Sequence, residues 1–241
     1  MKVSIIIPAH NEEGRIKRTL FAYLEYFSEL REEDVLDFEL VVVLNGCTDN
    51  TLAIVQGIQK QLGDIVIVNI PQAGKGIAIK IGFEDALTRD ANLIGFVDAD
   101  MATAPEYFYD LIEQMDPYDG VIASRYMSGA VIAPSRPLYK RWGSKLVYEP
   151  LIWLLFGISY YDFQCGAKLF SRKVIHQIAP LLHVKDWTID LEILYLCKKY
   201  HFKIKEVPTV WHDQAGSKLT SPIRSGLRMI KQLFKLRFQK S

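Results

Sequence analysis

Leu93-Ile94-Gly95-Phe96-Val97-Asp98-Ala99-Asp100 runs an apolar segment straight into two carboxylates set one residue apart. A short apolar run of this kind reads as a strand covered on both faces, the usual strand of a parallel sheet. In an open parallel sheet, ligands gather outside the carboxyl ends of the strands. Asp98 and Asp100 therefore stand where a ligand would sit. As paired hard oxygen donors they suit Mg2+ or Mn2+ bridging to substrate phosphates. An arbitrary Asp-x-Asp is more often a solvated turn, and it is the apolar run in front of this one that favours a site.

The same grammar extends upstream. Val3–Ile7, Leu40–Leu44 and Ile65–Ile70 are apolar strand candidates. Ile16, Leu20, Leu24 and Phe27 recur at helical spacing, a second helix is expected over about 49–61, and a third after Gly76. Strand–helix alternation implies a mainly parallel sheet with helices on both faces, an α/β nucleotide-binding unit over roughly 1–125. Pro8-Ala9-His10-Asn11-Glu12-Glu13 follows the first strand and Asn45-Gly46-Cys47-Thr48-Asp49 the second. Gly74-Lys75-Gly76 precedes a helix, where glycines permit close approach and the helix start with Lys75 favours an anion. It lacks the spacing of a P-loop. Each motif alone could be turn chemistry; turn chemistry does not predict that all of them fall at strand ends.

Downstream, Gly120–Ser124 reads as a strand and 137–157 as a long apolar, aromatic-rich helical stretch. Helices are expected over Val174–Leu182 and Trp187–Tyr200, and a late strand over Lys203–Val210. No linker separates the halves, so residues 1–220 are read as one domain, followed by a basic amphipathic helix over 221–241. That tail opens on Ser221-Pro222, a cap and first helical position. It places Ile223, Leu227, Ile230 and Phe234 on one face beside Arg224, Arg228, Lys231 and Lys235. Such a helix either binds a membrane surface or docks on its own domain.

Composition narrows the class. The 241 residues are 49% hydrophobic and 24% charged, which excludes disorder, collagen and a disulfide-stapled mini-protein. Net charge is +1, which disfavours a nucleic-acid binder. Seven positive charges and no acid follow Asp213, so the chain before them carries −6. Three scattered cysteines fit a reducing compartment, and the apolar runs are too short for a signal peptide or a spanning helix. The expectation is a cytoplasmic protein, soluble or peripheral on the inner face of a membrane.

Taken together, the Pro8–Glu13 series, the Asn-Gly-Cys-Thr-Asp turn, Gly74-Lys75-Gly76 and Asp98-Ala99-Asp100 resemble glycosyltransferase family 2, whose fold is GT-A and whose donors are sugar nucleotides. The resemblance continues through Ser124-Arg125-Tyr126, Asp162 to Phe170, Trp187-Thr188-Ile189-Asp190-Leu191-Glu192 and Gly216-Ser217-Lys218-Leu219. These later blocks look most like dolichyl-phosphate glucosyltransferases and polyprenyl-phosphate hexosyltransferases. The resemblance implies that Pro8, Asn11 and Glu12 line the nucleotide pocket, with Asn45 near the base and Lys75 there or at the phosphates. It implies that Asp98, Ala99 and Asp100 meet the donor, with Asp98 and Asp100 holding the metal. Arg125, Arg141 and Ser144 would receive the lipid phosphate, Asp162 and Gln164 would border the acceptor, and Lys218 would close over the diphosphate. Two departures stand out: family members usually carry Asp-Asp where this chain has Leu44-Asn45, which leaves uridine against guanosine open. Ala102 replaces a glutamine common in mannose synthases.

The implied reaction is an inverting transfer of a hexose, glucose from UDP-glucose by preference, to a polyprenyl or dolichyl phosphate. That acceptor is already anionic and requires no strong base. The alternative keeps the fold but transfers to a saccharide or other hydroxyl, which must lose a proton, with Asp190 as the base. A sugar nucleotidyltransferase is opposed by the acidic, glycine-free turn after the first strand, and a binding module without activity by the intact Asp98/Asp100 pair.

Overall fold

The computed structural model describes residues 1–134, 149–212 and 233–238. β1 (Lys2–Ala9), β2 (Asp37–Asn45), β3 (Ile65–Ile70) and β4 (Leu93–Phe96) alternate with α1 (Ile16–Glu32), α2 (Thr51–Leu62) and α3 (Lys75–Ala86). β1 pairs in parallel with β2, from Lys2 opposite Asp37 to Ala9 opposite Leu44, and with β4, from Val3 opposite Leu93. β3 adds in parallel to the far edge of β2. The apolar runs are continuous because both faces are covered. Ile5 and Ile7 pack with Leu20, Tyr23 and Phe27 of α1, whereas Ile6 faces Ala78, Ile79 and Phe83 of α3.

The chain then forms α4 (Pro105–Glu113), β5 (Gly120–Ser124), β6 (Val131–Ala133), a helix α5 over 149–156, and β7 (Lys168–Ser171). α6 (Arg172–Ile178), a 3-10 turn at Ala179–Leu181, α7 (Ile189–Lys199), β8 (Ile204–Pro208) and β9 (Val210–His212) follow. Residues 233–238 form a last helix, α8. The main sheet runs β3-β2-β1-β4-β7-β5-β8. β7 lies antiparallel between β4 and β5, and the other pairings are parallel. β6 and β9 pair in parallel as a separate small sheet.

The mainly parallel α/β sheet agrees with the sequence reading, and four details differ. β6, β7 and α4 were not anticipated. The single late strand is two, β8 in the main sheet and β9 in the small one, with Thr209 between them. Helix 174–182 ends four residues early and continues as a 3-10 turn around Pro180, which cannot donate to a helical ladder. In α8, Leu233 and Leu236 are buried, while Phe234, expected on the apolar face, is 43% exposed and stacks on Phe238 at 6.4 Å. The remainder of the tail reading lies outside the described residues. Among the described residues no helix is long and apolar enough to cross a membrane.

Candidate active site

Three strand ends meet at one edge of the sheet. After β1, Asn11 takes a left-handed conformation (φ 54°) and its Oδ1 accepts from the Thr48 amide at 2.8 Å, joining the turns after β1 and β2. The Glu12 amide donates to Thr51 Oγ1 at 2.8 Å, while its carboxylate grips Arg15 Nε and Nη2 at 2.7 and 2.8 Å. Pro8 is half-buried at the end of β1.

Asn45, expected near the base, has its side-chain amide engaged within the protein. It is buried; its Nδ2 donates to Ala9 O at 2.9 Å and its Oδ1 accepts from the Gly74 amide at 3.0 Å. His10 Nδ1 lies 2.7 Å from the Asn45 carbonyl. Asn45 is a strap binding three loops together.

Gly74-Lys75-Gly76 also departs from the anion reading. A Cβ at Gly76 would overlap the Val184 carbonyl and one at Gly74 the Lys185 carbonyl. The Gly76 amide donates to Lys185 O at 3.2 Å. The start of α3 is thus covered by the protein's own backbone. Glu192 secures that loop by accepting from the amides of His183 and Val184, at 2.9 to 3.1 Å.

Lys75 points into the site. Its Nζ lies 2.8 Å from Asp98 Oδ1 and 3.5 Å from Asp190 Oδ2. Burial would lower the Lys75 ammonium, but Asp190 and Asp98 reverse this and hold it above the ordinary lysine range. Asp190 is itself buried and accepts from Lys168 Nζ at 2.6 Å. Lys168 is fully buried at the start of β7 and donates to Cys165 O at 2.6 Å. The Trp187 ring, 70% exposed, lies 5.6 Å from Lys75 Nζ at the mouth of this cluster.

Asp98 keeps 32% of its side chain exposed and packs against Gly166, where any Cβ would overlap the carboxylate. Asp100 accepts from the Ala102 amide at 3.0 Å. Burial, then the charge of Asp98, raises the Asp100 carboxyl above its usual range. Ala99 is buried, and its carbonyl accepts from Thr19 Oγ1 at 2.8 Å, fixing the backbone between the two carboxylates.

Residues 4–179 match the family described as Glycosyl transferase family 2. The chain belongs to glycosyltransferase family 2. It is 35% identical over 250 residues to a dolichyl-phosphate beta-glucosyltransferase of Drosophila melanogaster, covering 97% of this chain and 74% of the relative. A protein of the same name from Saccharomyces cerevisiae is 32% identical, with 98% and 74% covered. Glucosyl-3-phosphoglycerate synthase from Mycobacterium tuberculosis, solved with UDP, shares the fold at a TM-score of 0.68 and 18% identity, with 98% and 78% covered. A second structure of that enzyme, solved with Mn2+, UDP and product, gives 0.66 and 20%, with 98% and 78% covered.

In this family 2 chain Arg125, expected at the acceptor, is engaged within the protein. Its Nε and Nη2 meet Asp162 Oδ2 and Oδ1 at 2.6 and 2.9 Å, and its amide donates to Oδ2 at 3.0 Å. The guanidinium lies 5.4 Å from the Tyr126 ring and 5.3 Å from that of Trp211. Burial would raise the Asp162 carboxyl, but Arg125 holds it below the usual range. The Gln164 amide closes the turn on Asp162 Oδ1 at 3.0 Å. Arg125, Asp162 and Gln164 are therefore brought together as an internal clamp. Arg141, Ser144 and Lys218 lie outside the described residues.

Sequence reasoning gave no role to Lys168, Gly166 or Glu192. The available signal was a charge at the head of the apolar run Lys168-Leu169-Phe170-Ser171, the mark of a buried ion with a partner. Cys165 needs no role: burial pushes its thiol up to about 11.

Proposed function

We propose that this chain is an inverting glucosyltransferase that moves glucose from UDP-glucose to the phosphate of a polyprenol or dolichol. The observation that carries this reading is the Asp98/Asp100 pair at the carboxyl end of β4, backed by the Lys75–Asp190–Lys168 chain. The names of the similar proteins supply the donor sugar and the acceptor class.

The two carboxylates fit a divalent cation. They are hard donors, and Asp100 is unsettled by burial and by its neighbour's negative charge, a cost that a cation would relieve. Mg2+ or Mn2+ held by Asp98 and Asp100 would supply neutralisation of charge on the departing nucleoside diphosphate. Similar folds have been solved with Mn2+ and UDP. The chain's own groups do the rest. Asn11 and Glu12 shape the nucleotide side, Asn45 fixes the loops around it, and Lys75 holds Asp98 in place. Lys218 is our candidate for closing on the diphosphate, with Arg141 and Ser144 for the acceptor phosphate.

An acceptor phosphate attacks without giving up a proton. The engagement of Asp190 by two lysines, at 2.6 and 3.5 Å, speaks for such an acceptor and against a hydroxyl acceptor served by Asp190. Arg125 serves as a positioning group, its fork already matched to Asp162.

A lipid acceptor gives the exposed apolar residues a common use. Trp153 and Leu154 of α5 are 62% and 72% exposed, and Trp153, Ile158, Tyr160 and Phe163 line a cavity of about 260 Å³. With Phe234 and Phe238 beside Lys235 and Arg237, these residues suit a peripheral protein at the cytoplasmic face of an anionic membrane.

The test is a donor screen. Labelled UDP-glucose, UDP-N-acetylglucosamine and GDP-mannose are offered with a short polyprenyl phosphate and Mn2+ or Mg2+. Label from UDP-glucose entering the organic phase is expected. Label from no donor, with nucleotide binding intact, would move the acceptor to a hydroxyl compound.

A further inference from the structure

Four charges alternate along a line that starts at the site and ends in the core: Asp98, Lys75, Asp190, Lys168. Lys75 Nζ is nearer Asp98, at 2.8 Å, than Asp190, at 3.5 Å. Lys168 holds the other oxygen of Asp190 at 2.6 Å. The Phe96 ring lies 5.6 Å from Lys75 Nζ and 5.5 Å from Lys168 Nζ, supporting both ammonium groups. Lys168 answers most of the Asp190 charge, which leaves Lys75 to Asp98. Without Lys168, Asp190 would draw Lys75 inward.

We propose that Lys75 is a resident counter-cation at the metal site and that Lys168, acting through Asp190, is the positioning residue that keeps it on Asp98. This rests on the metal reading given above. With Lys75 on Asp98, the Asp98/Asp100 pair presents one net negative charge instead of two. A free divalent cation then gains little, because its attraction scales with that charge. The diphosphate oxygens supply the missing negative charge and ligands, so the cation is captured together with its nucleotide. Ordered entry of this kind keeps the site from filling with metal before the donor arrives.

The measurement is binding of Mn2+ itself, read by electron paramagnetic resonance of the free ion, on the full chain, with no acceptor present. Wild-type protein should bind Mn2+ weakly alone, and at least about tenfold more tightly with UDP or GDP present. Lys75→Met leaves Asp190 paired with Lys168 and bares Asp98, so Mn2+ alone should bind about tenfold more tightly than to wild type. Lys168→Met should move affinity the same way by less, as Asp190 pulls Lys75 off Asp98. The double variant Lys168→Met/Asp190→Asn leaves Lys75 to Asp98 alone and should move affinity the opposite way.

A merely structural role for Lys168 predicts no such opposition of sign. Near-ultraviolet circular dichroism establishes that each variant is folded; Lys168→Gln, which keeps a hydrogen-bond donor without the charge, replaces Lys168→Met in the single and double variants if the methionine does not fold. Affinity for Mn2+ alone unchanged or weaker in Lys75→Met overturns the proposal, as does a shift of equal sign in the single and double Lys168 variants. Wild-type protein that binds no Mn2+ with either nucleotide overturns the metal reading, and does so before any variant is made.

Discussion

Gly166 packs against Asp98 so closely that any Cβ on it would overlap the carboxylate. This contact joins the turn before β7 to the end of β4, two strands that pair antiparallel with Phe96 opposite Lys168. A methyl group there must displace the Asp98 carboxylate from the position in which it meets Lys75. Gly166→Ala should lower turnover by about 10²-fold, the scale of a misplacement near 1 Å, while the protein remains folded. Turnover and melting temperature measured together check this; full activity in the variant would mean Asp98 has room to move.

A second close approach concerns stability rather than chemistry. The Gly76 position faces the Val184 carbonyl, with no room for a Cβ. Gly76→Ala should cost about 1–3 kcal/mol, the range for overpacking a tight contact, by prising the 183–188 loop off α3. Denaturant unfolding would measure it. An alanine gain at this helical position, as propensity alone predicts, would contradict the packing.

The pair of Arg125 and Asp162 makes a prediction about acid. Arg125 holds the folded-state carboxyl of Asp162 below its usual range, so its contribution to stability is present above the ordinary carboxylate range. That contribution is lost only as pH falls through the depressed folded value. Asp162→Asn, which leaves a buried guanidinium without its counter-charge, should destabilise by about 3–5 kcal/mol at neutral pH. The difference from wild type should shrink as pH falls below the ordinary carboxylate range. Urea titrations at neutral and acidic pH would show whether the gap closes.

Asp100 behaves in the opposite sense. Burial and the Asp98 charge raise its carboxyl, so protonation favours the folded state and stability from this group increases as pH falls toward the raised value. Asp100→Asn should therefore raise the melting temperature of the metal-free protein while lowering turnover by at least about 10²-fold. Unchanged turnover would remove Asp100 from the metal site.

How much of this was legible in the sequence depended on distance along the chain. Val3–Ile7, Leu40–Leu44 and Leu93–Val97 announce themselves because a strand covered on both faces must be apolar throughout. Asp98 and Asp100 follow from where such a strand ends. β7 escaped because it is four residues long and opens on a lysine whose partner, Asp190, lies 22 residues away. Gly74-Lys75-Gly76 looked like an anion cradle because nothing local tells that the carbonyls of Val184 and Lys185 come to rest on it. The strap made by Asn45 was hidden for the same reason: the amide of Gly74 and the carbonyl of Ala9 reach it only in the fold.

The exposed aromatic residues make a prediction about attachment to a membrane surface. Phe234 and Phe238 stack on the outer side of α8, with Leu233 and Leu236 already buried on the inner side. Packing on the domain thus does not consume those rings, and Lys235 and Arg237 lie beside them. Trp153 and Leu154 of α5 are exposed in the same way. Burying such side chains in a lipid interface contributes roughly 1.5–3 kcal/mol each, and each basic residue adds about 1 kcal/mol on an anionic surface. The double variant Phe234→Ser/Phe238→Ser should release the protein from vesicles containing phosphatidylserine, as should Trp153→Ser/Leu154→Ser. Neither change touches the Asp98 cluster, so nucleotide binding in solution should persist. Co-sedimentation with vesicles at low and high salt checks both terms. If both double variants sediment like wild type, the aromatic residues are not the contact, and attachment must be sought elsewhere in the chain.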